Sequence, residues 1–320
     1  MSIRYGSRSR PGTMVSTWLN SLVSGTVFVP SVYFAGGEAA AFVATVDKFA
    51  CSDDSRTTLG TGLSSARQGL AGAANSGTAM YFAGGYESGY VATVDKFLFS
   101  DDSRTTLGTG LSAARNNLAG AANSGTAAYF AGGGPSAAGA VVDKFAFSDD
   151  SRTTLGTGLS AARNSLAGAA NSGTAAYFAG GYESGYVATV DKFAFSDDGR
   201  TTLGTGLSSA RNTLGGAANS GTAAYFAGGH DVSSQVATVD KFAFSDDGRT
   251  TLGTGLSAAR QYLAGAADSG TAAYFAGGYE AGNVDTVDKF AFSDDSRTTL
   301  GTGLSSARRS LAGAGDSGTL

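Results

Sequence analysis

The chain has 320 residues and a net charge of −4, with 49 Gly, three Pro, one Cys and one His. Arg4, Arg8 and Arg10 stand without acidic neighbours in the first 32 positions and leave the rest of the chain at −7, a balance that argues against nucleic acid as a main partner because phosphate neutralisation draws on Lys and Arg. The single Cys51 excludes an intrachain disulfide and the single His230 excludes multi-histidine metal sites; no run approaches the roughly 18 apolar residues of a membrane-spanning helix, so no membrane insertion is expected.

Residues 1–32 do not repeat. They hold the basic run RYGSRSRP and, in TWLNSLV, the only Trp. Two readings are open: a disordered leader, or an attachment segment that docks through Trp18, Leu19 and Leu22, which is favoured. The Arg residues are followed by Thr, Ser and Asn rather than a sustained apolar run, so no export signal is visible.

From Tyr33 onward the chain repeats itself six times, in frames 33–80, 81–128, 129–176, 177–224, 225–273 and 274–320. Each frame reads YFAGG, a variable stretch, VDKFAFSDDxRTTLGTGLSxAR, two variable residues and LAGAANSGTAA, with small departures. A period near 48 residues with strand-like content suits a β-propeller blade. Four strand candidates recur per frame: LAGAA, AAYFAGG, VATVDKFAFS and RTTLGTGLS. NSGT and SDDS or SDDG supply turn chemistry between them, since Asn and Asp bond nearby backbone and Gly accepts positive φ. A helix over LSAARNSLAGAA competes, but the Gly inside it costs about 1 kcal/mol; a helical solenoid and a β-solenoid are the minor alternatives. The first frame opens at the second strand and the last ends after a first strand. The expected fold is therefore all-β, a six-bladed propeller of four-stranded antiparallel blades over 33–320, closed by the C-terminal strand joining the N-terminal blade.

The paired Gly after an aromatic strand, from Gly36–Gly37 to Gly277–Gly278, resembles the Kelch double glycine. Arg67, Arg115, Arg163, Arg211, Arg260 and Arg308 resemble the Arg at the start of a Kelch repeat. Leu59 and its equivalents stand where Kelch has Trp, and Phe or Cys51 where it has Tyr. In these departures the chain is similar to the nearly identical Kelch-like repeats of tailed-bacteriophage virion proteins. That resemblance implies a virion location, and other virion or assembly proteins as partners through residues 1–32. SDDGRTT at Ser196–Thr202 and Ser245–Thr251 resembles the Asp-box hairpin of sialidase propellers, with the Gly one residue early. The Kelch-fold copper oxidases need histidines that this chain lacks.

The six Arg read as structural, each bonding a carbonyl or the Asp of VDK; the alternative is a cationic ring around an anion. The Asp-Asp pairs, such as Asp53–Asp54, read as solvated turns neutralised by the adjacent Arg, with calcium chelation as the alternative. Asp47 and Lys48, with their equivalents, read as mutually solvating surface charges. Cys51, which stands where the other frames have Phe, reads as a small core residue. No Walker A or Rossmann motif appears, and no cofactor is expected.

Two segments differ between frames, while the SDD and NSGT turns barely change. After the double glycine the frames read EAAAFVAT, YESGYVAT, GPSAAGAV, YESGYVAT, HDVSSQVAT and YEAGNVDT; after the Arg they read Gln-Gly, Asn-Asn, Asn-Ser, Asn-Thr, Gln-Tyr and Arg-Ser. Antiparallel strands reverse direction, so the loops joining strands two to three and four to one share one face. That face would present Tyr86, Glu87, Tyr90, Tyr182, Glu183, Tyr186, His230, Asp231, Gln235, Tyr279, Glu280 and Asn283. Tyr with carboxylates and amides suits a surface glycan or protein ligand, against the plainer reading of loop variation without function. The expected function is a non-enzymatic binding or structural module, such as a virion fibre, decoration or receptor-binding protein. The alternative is a sialidase-like glycan-processing enzyme drawing an acid–base pair from loop residues such as Glu87 and Glu183. The two copies of YESGY are too alike for divided acid and base roles.

Overall fold

The computed structural model describes residues 30–135 and 139–315, and within them the chain is all-β. Blade 1 contains β1 (Ser31–Ala35), β2 (Val46–Ala50) and β3 (Arg56–Thr58); blade 2 contains β4 (Ala71–Asn75), β5 (Ala79–Ala83), β6 (Val94–Leu98) and β7 (Arg104–Thr106). The same set recurs as β8–β11 over 119–154, β12–β15 over 167–202, β16–β19 over 215–251 and β20–β23 over 264–299. The last strand, β24 (Ala312–Gly315), returns to blade 1, where it pairs with β1 from Val32↔Gly315 to Ala35↔Ala312. Six four-stranded antiparallel sheets result, and blade 1 has the order β24-β1-β2-β3. The fold is a six-bladed β-propeller closed between the two ends of the repeat array. The segment that could have been helical, LSAARNSLAGAA, ends instead in an innermost strand, and no helix is found among the described residues.

Each second strand lies between two sheet neighbours and between two blades, so all five residues of β5 are buried. Alternation then divides its side chains between the two interblade spaces. Tyr81 turns to blade 3 and stacks on Phe147 with ring centroids 5.2 Å apart, whereas Phe82 packs edge-on against Phe97 of its own sheet at 6.0 Å. The core is a set of such layers: Ala73, Tyr81 and Val94 of blade 2 meet Ala122, Phe130 and Phe145 of blade 3. Outer strands are short because only RTT pairs; the LGTGLS that follows turns away, with Leu107 bonding back to Val94. The first strand begins two residues ahead of the repeat frame, with Ser31 opposite Ala50.

The centre of the propeller is built on glycine. Gly72, Gly120, Gly168, Gly216, Gly265 and Gly313 sit one per innermost strand, and a Cβ on each would overlap the carbonyl oxygen of the glycine before it, Gly72 meeting that of Gly313. That cyclic contact closes through all six blades, and it explains why the inner strand reads LAGAA.

Candidate functional site

Two polar networks fix the blades and carry most of the charge. In the first, each connector Arg enters the next blade and is fully buried. Arg67 pairs with Asp95 at 2.9 Å and donates to the Phe82 carbonyl at 3.3 Å; Arg115, Arg163, Arg211 and Arg260 do the same with Asp143, Asp191, Asp240 and Asp288, at 2.8–2.9 Å. Arg308 completes the circle with Asp47 at 2.9 Å, across the seam between blades 6 and 1. Each Asp also accepts from a Thr hydroxyl and from a Ser: Asp95 from Thr106 at 2.6 Å and from the amide and hydroxyl of Ser64 at 2.9 Å. Burial works against the charged form of Asp95, but those hydrogen bonds and the Arg67 charge outweigh it and hold the carboxyl below its ordinary range. Burial pulls the Arg211 guanidinium down, opposed by Asp240.

In the second network each Lys of VDK reaches the following blade. Lys48 and the hydroxyl of Tyr33 both donate to Asp102, at 3.1 Å each, and Lys96 with Tyr81 does so to Asp150. Lys289 and Tyr274 bind Asp54, at 2.8 Å each, and so join blade 6 to blade 1. These geometries correct two expectations. Asp47 and Lys48 do not solvate one another, because consecutive strand residues point to opposite faces; one meets Arg308 and the other Asp102. Nor does the adjacent Arg neutralise the Asp-Asp turn. Asp53 caps its own turn at Ser55 N, 3.0 Å, while Asp54, at φ 58°, is held by the neighbouring blade, and Arg56 donates to the Gly303 carbonyl instead.

The buried carboxylates give a pH prediction. Asp47, Asp95, Asp143, Asp191, Asp240 and Asp288 are all depressed in the folded state. Their contribution is therefore complete above the ordinary carboxylate range and is lost as pH falls through their folded values. Thermal melting should be nearly level from about pH 5 to 8 and fall steeply below about pH 4. A melting temperature at about pH 3 equal to that at neutrality would contradict the network.

The two variable segments touch one another. Gln68 bridges Tyr86, Asn164 bridges Tyr182, Asn212 bridges His230, Gln261 bridges Tyr279 and Arg309 bridges Glu38. The near-constant turns lie together at the opposite ends of the strands, with Phe99 N bonded to Thr78 O. On the variable face Tyr86 packs edge-on against Tyr90 at 5.5 Å and against Phe42 at 6.1 Å, Tyr182 packs against Tyr186 at 5.5 Å, and Tyr186 stacks on His230 at 5.7 Å. Tyr90 and Tyr182 are 46% and 39% exposed. Other candidates hold loops in place: Gln235 donates to the Glu280 carbonyl at 3.0 Å, Asn283 to those of Glu38 and Ala39, and Asp231 caps Ser233 and Ser234. Glu87 accepts from the hydroxyl of Ser65, and Glu183 is partly buried. The anchor candidates Trp18, Leu19 and Leu22 lie outside the described residues.

A further feature of this face was not singled out from the sequence. The second variable residue after each Arg lies on the propeller axis, and these six form a closed ring of backbone hydrogen bonds. Asn117 N donates to Gly69 O, Ser165 to Asn117, Thr213 to Ser165, Tyr262 to Thr213, Ser310 to Tyr262 and Gly69 to Ser310, at 2.6–2.8 Å. The signal was present in the sequence, since this position differs in almost every frame, but its place on the axis depends on the closed ring.

The chain matches no protein-family model, and no curated protein matches it in sequence.

Proposed function

We propose that the chain is a non-enzymatic binding disc, a Kelch-like propeller of a bacteriophage virion that recognises a surface glycan or protein through its variable face. Residues 1–32 would attach it to the assembly. One observation carries this reading: the segments that differ between otherwise near-identical blades are bonded to each other on one face, while the turns on the other face stay constant. Mutational drift alone does not choose a face. The exposed Tyr rings and loop carboxylates offer stacking surfaces and hydrogen-bond acceptors, and repetition around a ring adds avidity.

Tyr86, Tyr182 and Tyr279 occupy equivalent places, each followed by Glu. Replacing all three by Ala should weaken attachment to whole bacterial cells or a glycan array far more than any one replacement, through lost avidity. The rings also pack on their loop neighbours, so the melting temperature should fall somewhat, and attachment is compared well below the melting point of the triple variant. A control set on the opposite turns, Asp53, Asp101 and Asp149 to Asn, should leave attachment intact. Equal loss from both sets, or none from the Tyr set, would remove the face assignment.

A further inference from the structure

The axial ring is strained where relief was at hand. All six of its residues have φ between 52° and 64°. Gly69 accepts this without cost, and a side chain there would in any case meet the Asn117 amide oxygen. The other five carry side chains in a region that L-residues rarely occupy, among them the β-branched Thr213 and the bulky Tyr262. Strain kept at five of six equivalent positions, with polar side chains at each, is a reason to ask what those side chains face.

They face two joined cavities. Below the ring is a well of about 100 Å³, walled by Ala71, Ala119, Ala167, Ala264 and Ala312 and floored by the axial glycines; Gly215 replaces the sixth Ala. Above it, toward blades 1, 2, 3 and 6, lies a chamber of about 190 Å³ whose wall includes Gln68, Asn116 and the Glu38–Arg309 pair. The two cavities share Asn117, Tyr262 and Ser310. Their chemistry is graded. The lower wall is methyl and backbone; the rim is hydroxyl and carboxamide. The one cation, Arg309, is already bound to Glu38 at 3.0 Å and lies 5.2 Å from the Tyr279 ring centre and 5.8 Å from that of Tyr262. An anionic ligand would have to displace Glu38, so the site favours a neutral one.

We infer that the propeller axis binds an N-acetylated amino sugar, with the acetamido methyl in the alanine-lined well and the amide and sugar hydroxyls at the rim of Asn117, Ser310 and the surrounding carboxamides. The well is walled by alanine methyls and backbone, which suits a small apolar acyl group; the chamber above it is lined by carboxamide, hydroxyl and carboxylate groups, which suits the hydroxylated ring. The inference rests on the reading that this face binds glycans, and it names the class of glycan.

Saturation-transfer NMR on the full chain, with free N-acetylglucosamine and with glucose and glucosamine as controls, tests it. The acetyl methyl should receive the strongest saturation, and the two controls little. Ala119→Val with Ala264→Val narrows the well and should abolish the signal. Asn117→Gly with Ser310→Gly removes two of the three shared rim groups, leaving Tyr262, while relieving positive φ; it should raise the melting temperature yet weaken sugar binding by about tenfold. The glycine pair introduces no clash, so it decides the matter if the valine pair does not fold. Equal binding of all three sugars, or glycine variants that bind as well as the parent, would overturn the axial site. If cell attachment still depends on Tyr86, Tyr182 and Tyr279 in that case, the face reading stands without it. Absence of both sugar and cell binding would remove the two together.

Discussion

Deletion of residues 309–320 is expected to turn the ring into an open array that aggregates or loses much of its thermal stability. The deleted segment carries β24, which is the innermost strand of blade 1 and pairs with β1. Its loss exposes the edge of β1 from Val32 to Ala35, a strand whose residues are otherwise all buried. An apolar strand with free amides and carbonyls is a template for pairing with another chain. Leu311, Ala312 and Ala314 leave the core that Phe34 and Leu304 share, and burial of one Leu is worth about 1.5–3 kcal/mol. Gly313 leaves the axial contact between Gly265 and Gly72, so blade 6 loses its inner neighbour as well. Size-exclusion chromatography and thermal melting read the outcome. A truncated chain that stays monomeric and melts where the parent does would rule out closure through β24.

Most of the architecture is legible in the repeat itself. The period, the turn residues and the mismatch between the first and last frames lead to six blades and to the closing strand. Strand parity leads to the shared face of the two variable segments. What escapes is pairing across blades. Arg308 and Asp47 lie 261 positions apart and Lys289 and Asp54 lie 235 apart, distances at which no local pattern chooses a partner. The neighbouring Lys48 was the tempting partner for Asp47, although strand alternation argues against it. Leu59 and Gly60 look like a continuation of the RTT strand, yet pairing stops at Thr58. The axial ring is hidden for a different reason. Positive φ at Asn, Ser, Thr and Tyr is imposed by six connectors meeting at one point, and nothing in an Asn-Ser or Gln-Tyr pair announces it.

The interblade ion pairs should prove costly to break singly and cheap to break outright. Arg211 and Asp240 are both fully buried, 2.9 Å apart. Arg211→Met keeps much of the side-chain volume but leaves the Asp240 carboxylate buried with only Ser208 and Thr251 as donors. Loss of one partner of a buried pair costs about 3–5 kcal/mol. The pair itself is not strongly stabilising, because desolvation offsets its attraction and the Nε of every connector Arg is buried without a hydrogen-bond partner. Asp240→Asn added to Arg211→Met removes the orphaned charge, and the double variant should therefore recover a large part of the loss. The comparison is Lys192→Met, which breaks the partly exposed bond to Asp247 in the adjacent blade and should cost about 1 kcal/mol or less. Urea denaturation of the three variants measures this. A cost for Arg211→Met no greater than that for Lys192→Met would mean that the connector Arg is not what locks each blade to the one before it. A double variant as unstable as the single would mean that packing by the Arg stem, and not the unpaired carboxylate, sets the cost.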